Sequence, residues 1–497
     1  MKSSRRMGLG ALTDVIGPER VSGLPVGEVT GLAYDSRRVA PGTLFFAVPG
    51  VHVDGHEYAA EAVRAGAIGL VVERELPAVT VPQLVVDRTR RALADAADAW
   101  FGRPSEQLTV IGVTGTDGKS TVTALTAEVL RACGRRPGQI GTVFTGVGEA
   151  VLPNEARNTT PEALELQGLL ARMVAEGNDS VVMEATSHGL ALRRTRNCRF
   201  DIGVVTTVTS EHLEFHGTVE RYRAAKALLV EEAPIAILNA DDPGFGYFRE
   251  RARDRVISYA MDAAADLRAS DLEEDATGTK FLLDSPSWRG TVRVALPGRF
   301  NVANALATLA VAEALGLDLE RAVDALRDTA GVPGRMQRVV AGQPFAVIVD
   351  YAHTEDSLRK VLAMLRPVTA GRLIAVIGSA GERDPTKRGP MGRVAAELAD
   401  LVVVTDEDPR LEDPRTINEA IADGARSVGA RDGETLWVID DRRDAIGRAI
   451  GLAREGDVVL LAGKGHESSM FHGTQKRPWN DVGAARDALR DAGWGDR

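Results

Sequence analysis

Two patterns of apolar and polar positions divide the chain. Up to about residue 103, short strand-like runs at 43–48 and 68–73 lie among polar turns, and 89–100 is polar with helical spacing. Phe101-Gly102-Arg103-Pro104 carries the glycine and proline of a linker. From Leu108 the pattern becomes apolar run, glycine turn, helix. The runs at 108–113, 180–185, 201–208 and 233–239 read as buried strands, and 120–132 and 221–230 as helices. A second series starts near Gly334, with strands expected at 345–349, 372–377, 401–405, 435–439 and 457–461. Continuous apolar strands alternating with helices predict a parallel sheet covered on both faces. The expected fold is α/β in three domains: a small N-terminal α/β domain over 1–103, a central parallel-sheet domain over 104–332 and a Rossmann-like domain over 333–497. Ligands of such sheets sit beyond the carboxyl ends of the strands, so residues there are the first candidates for chemistry.

Composition narrows the classes. The chain has 497 residues, enough for about three domains, with 44% apolar and 26% charged positions, as in ordinary globular proteins. A net charge of −10 argues against a general nucleic-acid binder, which needs a basic footprint. Cys133 and Cys198 suit two reduced thiols in a cytoplasmic protein and have no metal-ligand spacing. No apolar run approaches the roughly 18 residues of a membrane helix, so no membrane partner is expected. Arg5-Arg6 before an apolar run imitates an export signal, but Asp14 interrupts it, and no small-residue cleavage site follows. These residues read as a start-site extension, with Met7 as the working start. The chain carries no internal repeat.

The strongest local motif is Gly115-Thr116-Asp117-Gly118-Lys119-Ser120-Thr121, after an apolar strand and at the opening of a helix. Backbone N–H groups there cradle phosphates, Lys119 reaches the β- and γ-phosphates, and Ser120 or Thr121 touches Mg²⁺. Val113 replaces the first glycine of the general P-loop string, so the motif is a variant. Glu184 ends a second strand, and His212 follows a third, ahead of a helix carrying Tyr222 and Lys226. A carboxylate and an imidazole at adjacent strand ends are plausible Mg²⁺ partners for a nucleotide. Five of the eight histidines, His188, His212, His216, His353 and His466, fall at such ends.

Together these strings resemble the Mur ligase family, and within it the MurE type. That type adds the third peptide residue to UDP-N-acetylmuramoyl-L-Ala-D-Glu. The resemblance runs from Leu32 to about Leu489 and rests on ordered strings. They include Tyr34-Asp35-Ser36-Arg37, Gly50-Val51-His52-Val53-Asp54-Gly55, the 115–121 loop, Asn158-Thr159-Thr160-Pro161 and the run 184–190. Further on come Gly298-Arg299-Phe300-Asn301, Gly334-Arg335-Met336, Asp350-Tyr351-Ala352-His353-Thr354 and Gly463-Lys464-Gly465-His466-Glu467. The resemblance implies a uridine-binding N-terminal domain, a central P-loop-like ATPase domain and a C-terminal amino-acid-binding domain. It implies an ATP-dependent acid–amino-acid ligase of peptidoglycan synthesis that works through an acyl phosphate. Catalytic roles fall to Lys119, Glu184, His212 and Lys226. Mg²⁺ ligands are Ser120, Glu184, His212 and a carbamoylated Lys226. Asn301 and Asp350 contact the adenosine. Tyr34, Ser36, Val51, His52, Val53, Asn158, Thr159, Thr160, Thr186 and Arg194 contact the UDP-muramoyl dipeptide. The implied protein is cytoplasmic; its oligomeric state is not legible in the sequence, and a monomer is the default expectation. Asp117, Glu211, Glu214 and Glu355 depart from the family's commoner residues without removing a group the chemistry needs.

The implied pocket for the added amino acid is Glu407-Asp408-Pro409-Arg410 with Arg383, Gly463 and Glu467. Family members that add meso-diaminopimelate carry Asp-Asn-Pro-Arg, whose Arg clamps the distal carboxylate. Arg410 suits that bidentate task and favours meso-diaminopimelate. Glu407 and Asp408 add negative charge that suits L-lysine or L-ornithine, and Arg410 has a second reading as a structural ion pair with Glu412 or Asp413. A folylpolyglutamate-type ligase and a non-catalytic nucleotide-binding protein are the remaining alternatives. The first does not need the Asp-Ser-Arg and Asp-Pro-Arg strings. The second does not need Lys119, Glu184, His212 and Lys226 together.

Overall fold

Strands buried on both faces organise each half of the chain, which divides into two units: Met1–Asp266 with Ala307–Asp318, and Leu267–Leu306 with Leu319–Arg497. The structure is a computed structural model and describes residues 5–50, 53–154, 158–209, 211–275, 277–329 and 331–495. Val51 and His52 of the strings above lie outside the described residues.

In the first unit, helix α1 (Leu9–Ile16) precedes strands β1 (Arg20–Ser22), β2 (Gly31–Ala33), β3 (Thr43–Phe46), β4 (Ala67–Val72) and β5 (Gln83–Val85), and α2 (Thr89–Phe101) follows. The sheet order is β1-β5-β4-β3-β2, parallel except for β1. Phe45 and Leu70 face one side, Leu44, Phe46 and Val71 the other, as the period of two requires. The segment read as an extension belongs to the fold from Arg5 onward. Met7 pairs with Val29, Arg5 donates to the Trp100 carbonyl at 2.7 Å, and Leu9 and Leu12 are fully buried. α2 ends at Gly102, whose φ of 76° is the left-handed stop that glycine favours.

The larger sheet of this unit begins with β6 (Thr109–Thr114), α3 (Lys119–Ala132), β7 (Pro137–Ile140), β8 (Phe144–Val147), β9 (Ala150–Pro153) and α4 (Ala163–Ala175). It continues with β10 (Ser180–Glu184), α5 (Ser187–Ala191), β11 (Ile202–Val205), α6 (Leu213–His216), α7 (Val219–Glu232), β12 (Ile235–Asn239) and β13 (Arg255–Ala260). The strand order is β9-β8-β7-β10-β6-β11-β12-β13. Register places Glu184 beside Val113, and Val205 beside Thr114, so three carboxyl ends lie level. Gly112 in β6 lets α7 close on the strand, since a Cβ there would meet Leu229 at 2.6 Å and Phe200 at 2.7 Å. The strand expected over 201–208 stops at Val205 because Thr206 and Thr207 turn to bond the phosphate loop.

The second unit holds an antiparallel meander, β14 (Leu267–Asp275), β15 (Gly278–Asp284) and β16 (Arg289–Val294). Antiparallel strands, which the sequence pattern did not mark, are added here and at the β8–β9 hairpin. These strands have one wet face and no long apolar run, so they lack the signal that marks a buried strand. Helices α8 (Arg299–Ala314) and α9 (Leu319–Asp328) follow. Next come β17 (Gln337–Val339), β18 (Ala346–Asp350), α10 (Glu355–Val368), β19 (Leu373–Ile377), α11 (Arg388–Leu398), β20 (Leu401–Val404) and α12 (Pro414–Arg426). The chain closes with β21 (Leu436–Val438), α13 (Arg442–Leu452), β22 (Val458–Ala462), the hairpin β23 (Ser469–His472) and β24 (Gln475–Pro478), and α14 (Asp481–Asp491). Sheet order is β17-β18-β22-β19-β20-β21. Leu373, Ala375 and Ile377 pack under α10, α11 and α12, while Ile374 and Val376 pack under α13 and α14. Both faces are covered, and the loops after β18, β19, β20 and β22 leave the carboxyl edge of one sheet.

Candidate active site

In the first unit the turn after β6 wraps the start of α3. Gly118 caps that helix at φ 87°, and Gly115 sits so close to Thr206 that a Cβ would fall 1.8 Å from its Oγ1. The hydroxyl of Thr206 donates to the Asp117 carbonyl at 2.6 Å, and Thr116 N–H to the Thr207 carbonyl at 2.6 Å. Thr116 Oγ1 lies 2.8 Å from the Tyr222 hydroxyl. The loop is therefore held from α7 and from the end of β11. Ser120 and Thr121 are half-buried in the first turn of α3.

Two lysines converge on one carbonyl. Lys119 Nζ donates to the Gly115 and Thr116 oxygens at 3.0 and 2.8 Å, and Lys226 Nζ donates to the same Gly115 oxygen at 2.7 Å. Lys226 is 1% exposed and lies 4.5 Å over the Tyr222 ring. Burial first, and then the charge of Lys119, hold its amine well below the usual lysine range.

Glu184 is 1% exposed and bonded through both oxygens to Thr142, from its N–H at 2.7 Å and its hydroxyl at 3.1 Å. Thr142 also meets Thr159 at 3.0 Å. Thr160 donates to the Glu184 carbonyl at 2.9 Å and lies 3.0 Å from the Thr186 hydroxyl, which caps α5. Arg194 donates to the Thr160 carbonyl at 3.1 Å and pairs with Glu162 at 2.9 Å. Three residues expected to bind the muramoyl substrate, Thr160, Thr186 and Arg194, are thus linked to one another and to the Glu184 backbone, and a fourth, Thr159, reaches the Glu184 carboxylate through Thr142. Asn158 is exposed beside them in sequence. His212 is half-buried at φ 56°, with its nitrogens toward Glu211 and Glu214 at 3.6 and 3.3 Å. His188 packs edge-on to it with centroids 4.7 Å apart. Among the described residues no three His, Cys, Asp or Glu side chains gather to hold a metal. Oxygen from Glu184, together with water and phosphate, still fits Mg²⁺, which takes few protein ligands.

Tyr34, at the end of β2, donates to Glu165 of α4 at 3.1 Å, and burial raises its hydroxyl pKa. Ser36 is half-buried, and Val53 is exposed. Asn301 and Asp350, in the second unit, are buried and already bonded. Asn301 donates to the Pro297 carbonyl at 2.8 Å, and Asp350 accepts from Met336 and Ala352 N–H, each at 2.8 Å.

The loops after β20 and β22 bring Glu407, Asp408, Pro409, Gly463 and Glu467 to one edge of the second unit. Gly463, at φ 110°, leaves room for Glu407, whose Oε2 would lie 3.1 Å from a Cβ there. Burial pushes the Glu407 carboxyl up. Arg410 has a left-handed φ of 55° and is tied to β23: its N–H donates to the Phe471 carbonyl, and Gly473 N–H to its own. The two carboxylates considered as its ion-pair partners are engaged elsewhere. Glu412 binds Arg388 at 2.8 Å, and Asp413 caps α12. Arg383 is exposed.

Reading by sequence missed Lys464, whose Nζ lies 3.1 Å from Asp408 and 2.5 Å from Glu467. Its place between Gly463 and Glu467 was the available signal. It also missed Thr142, a residue with no motif of its own.

Three family descriptions match the chain: the Mur ligase family catalytic domain over residues 28–101, the Mur ligase middle domain over 113–312 and the Mur ligase glutamate ligase domain over 334–465. The chain is 47% identical over 489 residues to a UDP-N-acetylmuramyl-tripeptide synthetase of Roseiflexus sp. (strain RS-1), covering 94% of this chain and 96% of that protein. It is 43% identical over 475 residues to the UDP-N-acetylmuramoyl-L-alanyl-D-glutamate--2,6-diaminopimelate ligase of Geobacillus kaustophilus (strain HTA426), with 94% and 96% covered. A solved structure of a ligase with that same description superposes with a TM-score of 0.72 at 31% identity, covering 99% of this chain and 100% of that one.

Proposed function

The chain belongs to the Mur ligase family, and on that premise we propose that it joins meso-2,6-diaminopimelate to UDP-N-acetylmuramoyl-L-alanyl-D-glutamate. It is an ATP-dependent ligase of peptidoglycan synthesis. In the proposed reaction the γ-phosphoryl group passes from ATP to the D-Glu carboxylate, giving an acyl phosphate. The amine of the incoming amino acid attacks that carbonyl, phosphate leaves, and an amide remains. Lys119 stabilises charge on the transferring phosphoryl group, and the glycine loop binds the phosphates through backbone N–H groups. Mg²⁺, when bound, supplies Lewis-acid stabilisation of those oxygens. Glu184, His212, Ser120 and a carbamate on Lys226 are its proposed holders. Asn301 and Asp350 keep their proposed place at the adenosine through lone pairs and protons that their backbone partners leave free.

The proposed division of labour is UDP-substrate binding by 1–103, ATP binding by 104–332 and amino-acid binding by 333–497. Tyr34, Ser36, Val51, His52, Val53, Asn158, Thr159, Thr160, Thr186 and Arg194 make the proposed contacts to the UDP-muramoyl dipeptide. Among the described residues no helix is long and apolar enough to cross a membrane. Use of ATP and a UDP-linked precursor supports a cytoplasmic site of action.

One observation carries the choice of amino acid. Among the described residues Arg410 Nε is buried without a hydrogen-bond partner, while Glu412 and Asp413 serve Arg388 and α12. A guanidinium so placed is suited to a carboxylate brought by the substrate. Mg²⁺-dependent phosphate release with UDP-muramoyl dipeptide and meso-diaminopimelate, L-lysine or L-ornithine tests the reading. The expected preference for meso-diaminopimelate is at least about tenfold in kcat/KM and is erased by Arg410→Ala. Faster turnover with L-lysine or L-ornithine overturns it.

A further inference from the structure

We propose that Lys464 is a specificity-determining residue of the amino-acid pocket: by balancing the charge of Asp408 and Glu467, it decides whether a distal carboxylate is accepted. The inference rests on the ligase reading above. Lys464 follows Gly463 at the end of β22, and its side chain is 0% exposed. Its ammonium bridges Asp408 on the loop after β20 and Glu467 on its own loop. Asp408 Oδ1 accepts a second bond, from Phe471 N–H at 2.8 Å. Phe471 in turn holds the backbone of Arg410, whose N–H donates to the Phe471 carbonyl at 3.0 Å. One buried cation therefore joins the two loops that carry the candidate pocket and is linked through Asp408 to the position of Arg410.

The charge balance makes this more than a structural clasp. Glu407 and Asp408 precede Arg410 on its own loop, Lys464 holds Glu467 to Asp408, and Glu407 Oε2 has no hydrogen-bond partner among the described residues. Without Lys464, Asp408 and Glu467 would be uncompensated anions at the edge where Arg410 meets a substrate carboxylate. They would repel that carboxylate and attract the bare ammonium of L-lysine. Removing the charge of Asp408 alone leaves Lys464 paired with Glu467 and makes this edge one charge less negative, which favours the carboxylate. The two substitutions thus have opposite signs, which a merely structural role does not produce.

The experiment is a cycle of full-length wild type, Lys464→Met, Asp408→Asn and the double variant. For each, kcat/KM is measured with meso-diaminopimelate and with L-lysine. The readout is the ratio of the two, which a loss of folded protein leaves unchanged. Lys464→Met should lower the ratio by at least about thirtyfold, as loss of one member of a buried charge pair does. Asp408→Asn should raise it, and the double variant should recover most of the loss. If Lys464→Met folds poorly, Lys464→Arg keeps the charge and should keep the ratio within about threefold of wild type. A ratio that is unchanged in Lys464→Met, or not recovered in the double variant, overturns the assignment of Lys464 and leaves the ligase reading standing. A wild type that adds neither amino acid overturns both.

Discussion

Lys226 lies within bonding distance of a carbonyl that Lys119 also holds, and this juxtaposition carries the first prediction. Burial, and then the charge of Lys119, lower the pKa of the Lys226 amine and so favour its neutral form. The proposed carbamate would turn this side chain into an anion and remove the repulsion from Lys119. Lys226→Ala should abolish ligation, and a short carboxylate such as acetate at high concentration should restore part of the activity. Full activity of Lys226→Ala in bicarbonate-depleted buffer would sink the idea. Lys119→Ala should be lost more deeply, by several kcal/mol of transition-state stabilisation, and should not respond to acetate.

His466 carries a pH prediction at the same scale. Burial, then the charges of Arg335 and Lys464, lower its pKa from 6.5 to about 4. The folded state therefore prefers the neutral ring. That contribution is complete above pH 6.5 and declines as pH falls through about 4. Urea midpoints should drop across this window by about 1–3 kcal/mol in unfolding free energy, and His466→Gln should flatten the slope. An unchanged slope in the variant would assign the acid sensitivity to other groups.

Between elements, the pair Arg442–Asp481 joins the start of α13 to the start of α14. Both side chains are 0% exposed, with nitrogens 2.8 and 2.7 Å from the carboxylate. Trp479 also donates to Asp481 at 2.7 Å. Asp481→Ala leaves a buried guanidinium without its counter-charge, at a cost of about 3–5 kcal/mol read as a shift in denaturant midpoint. A loss below about 1 kcal/mol would show that water or another acid replaces it. The start of α10 is a milder case. Thr354 and Ser357 cap each other there, and Thr354→Ala should cost about 1 kcal/mol.

Across the whole molecule, each of the two units has its own buried clusters, so unfolding should not be a single all-or-none transition. Mg²⁺–ATP should stabilise the transition of the unit that carries the phosphate loop. At a hundred times Kd the gain is about 2.7 kcal/mol, and Lys119→Ala should abolish it. Calorimetry with and without nucleotide reads both effects. One superimposable transition that nucleotide does not move would contradict them.

Local pattern was enough to locate β6, β10, β11 and β12 of one large sheet and β18 to β22 of the other, because a strand buried on both faces must be apolar throughout its length, but it did not mark β7, β8, β9, β13 or β17. It was enough to find the 115–121 loop and the order of strings that mark the family, because those depend on neighbours in the chain. The antiparallel meander at 267–294 left no such trace, since its strands are polar on one face. Only tertiary structure decided which groups meet. Thr142 at Glu184, Lys226 at the Gly115 carbonyl and Lys464 between Asp408 and Glu467 are pairings set by strand register and loop return. The same holds for Arg410. Sequence left it open between a substrate contact and an ion pair with Glu412 or Asp413, and the fold turned those two carboxylates to Arg388 and to the cap of α12. Charge type is written in the chain, but its compensation depends on distances that exist only once the strands are side by side.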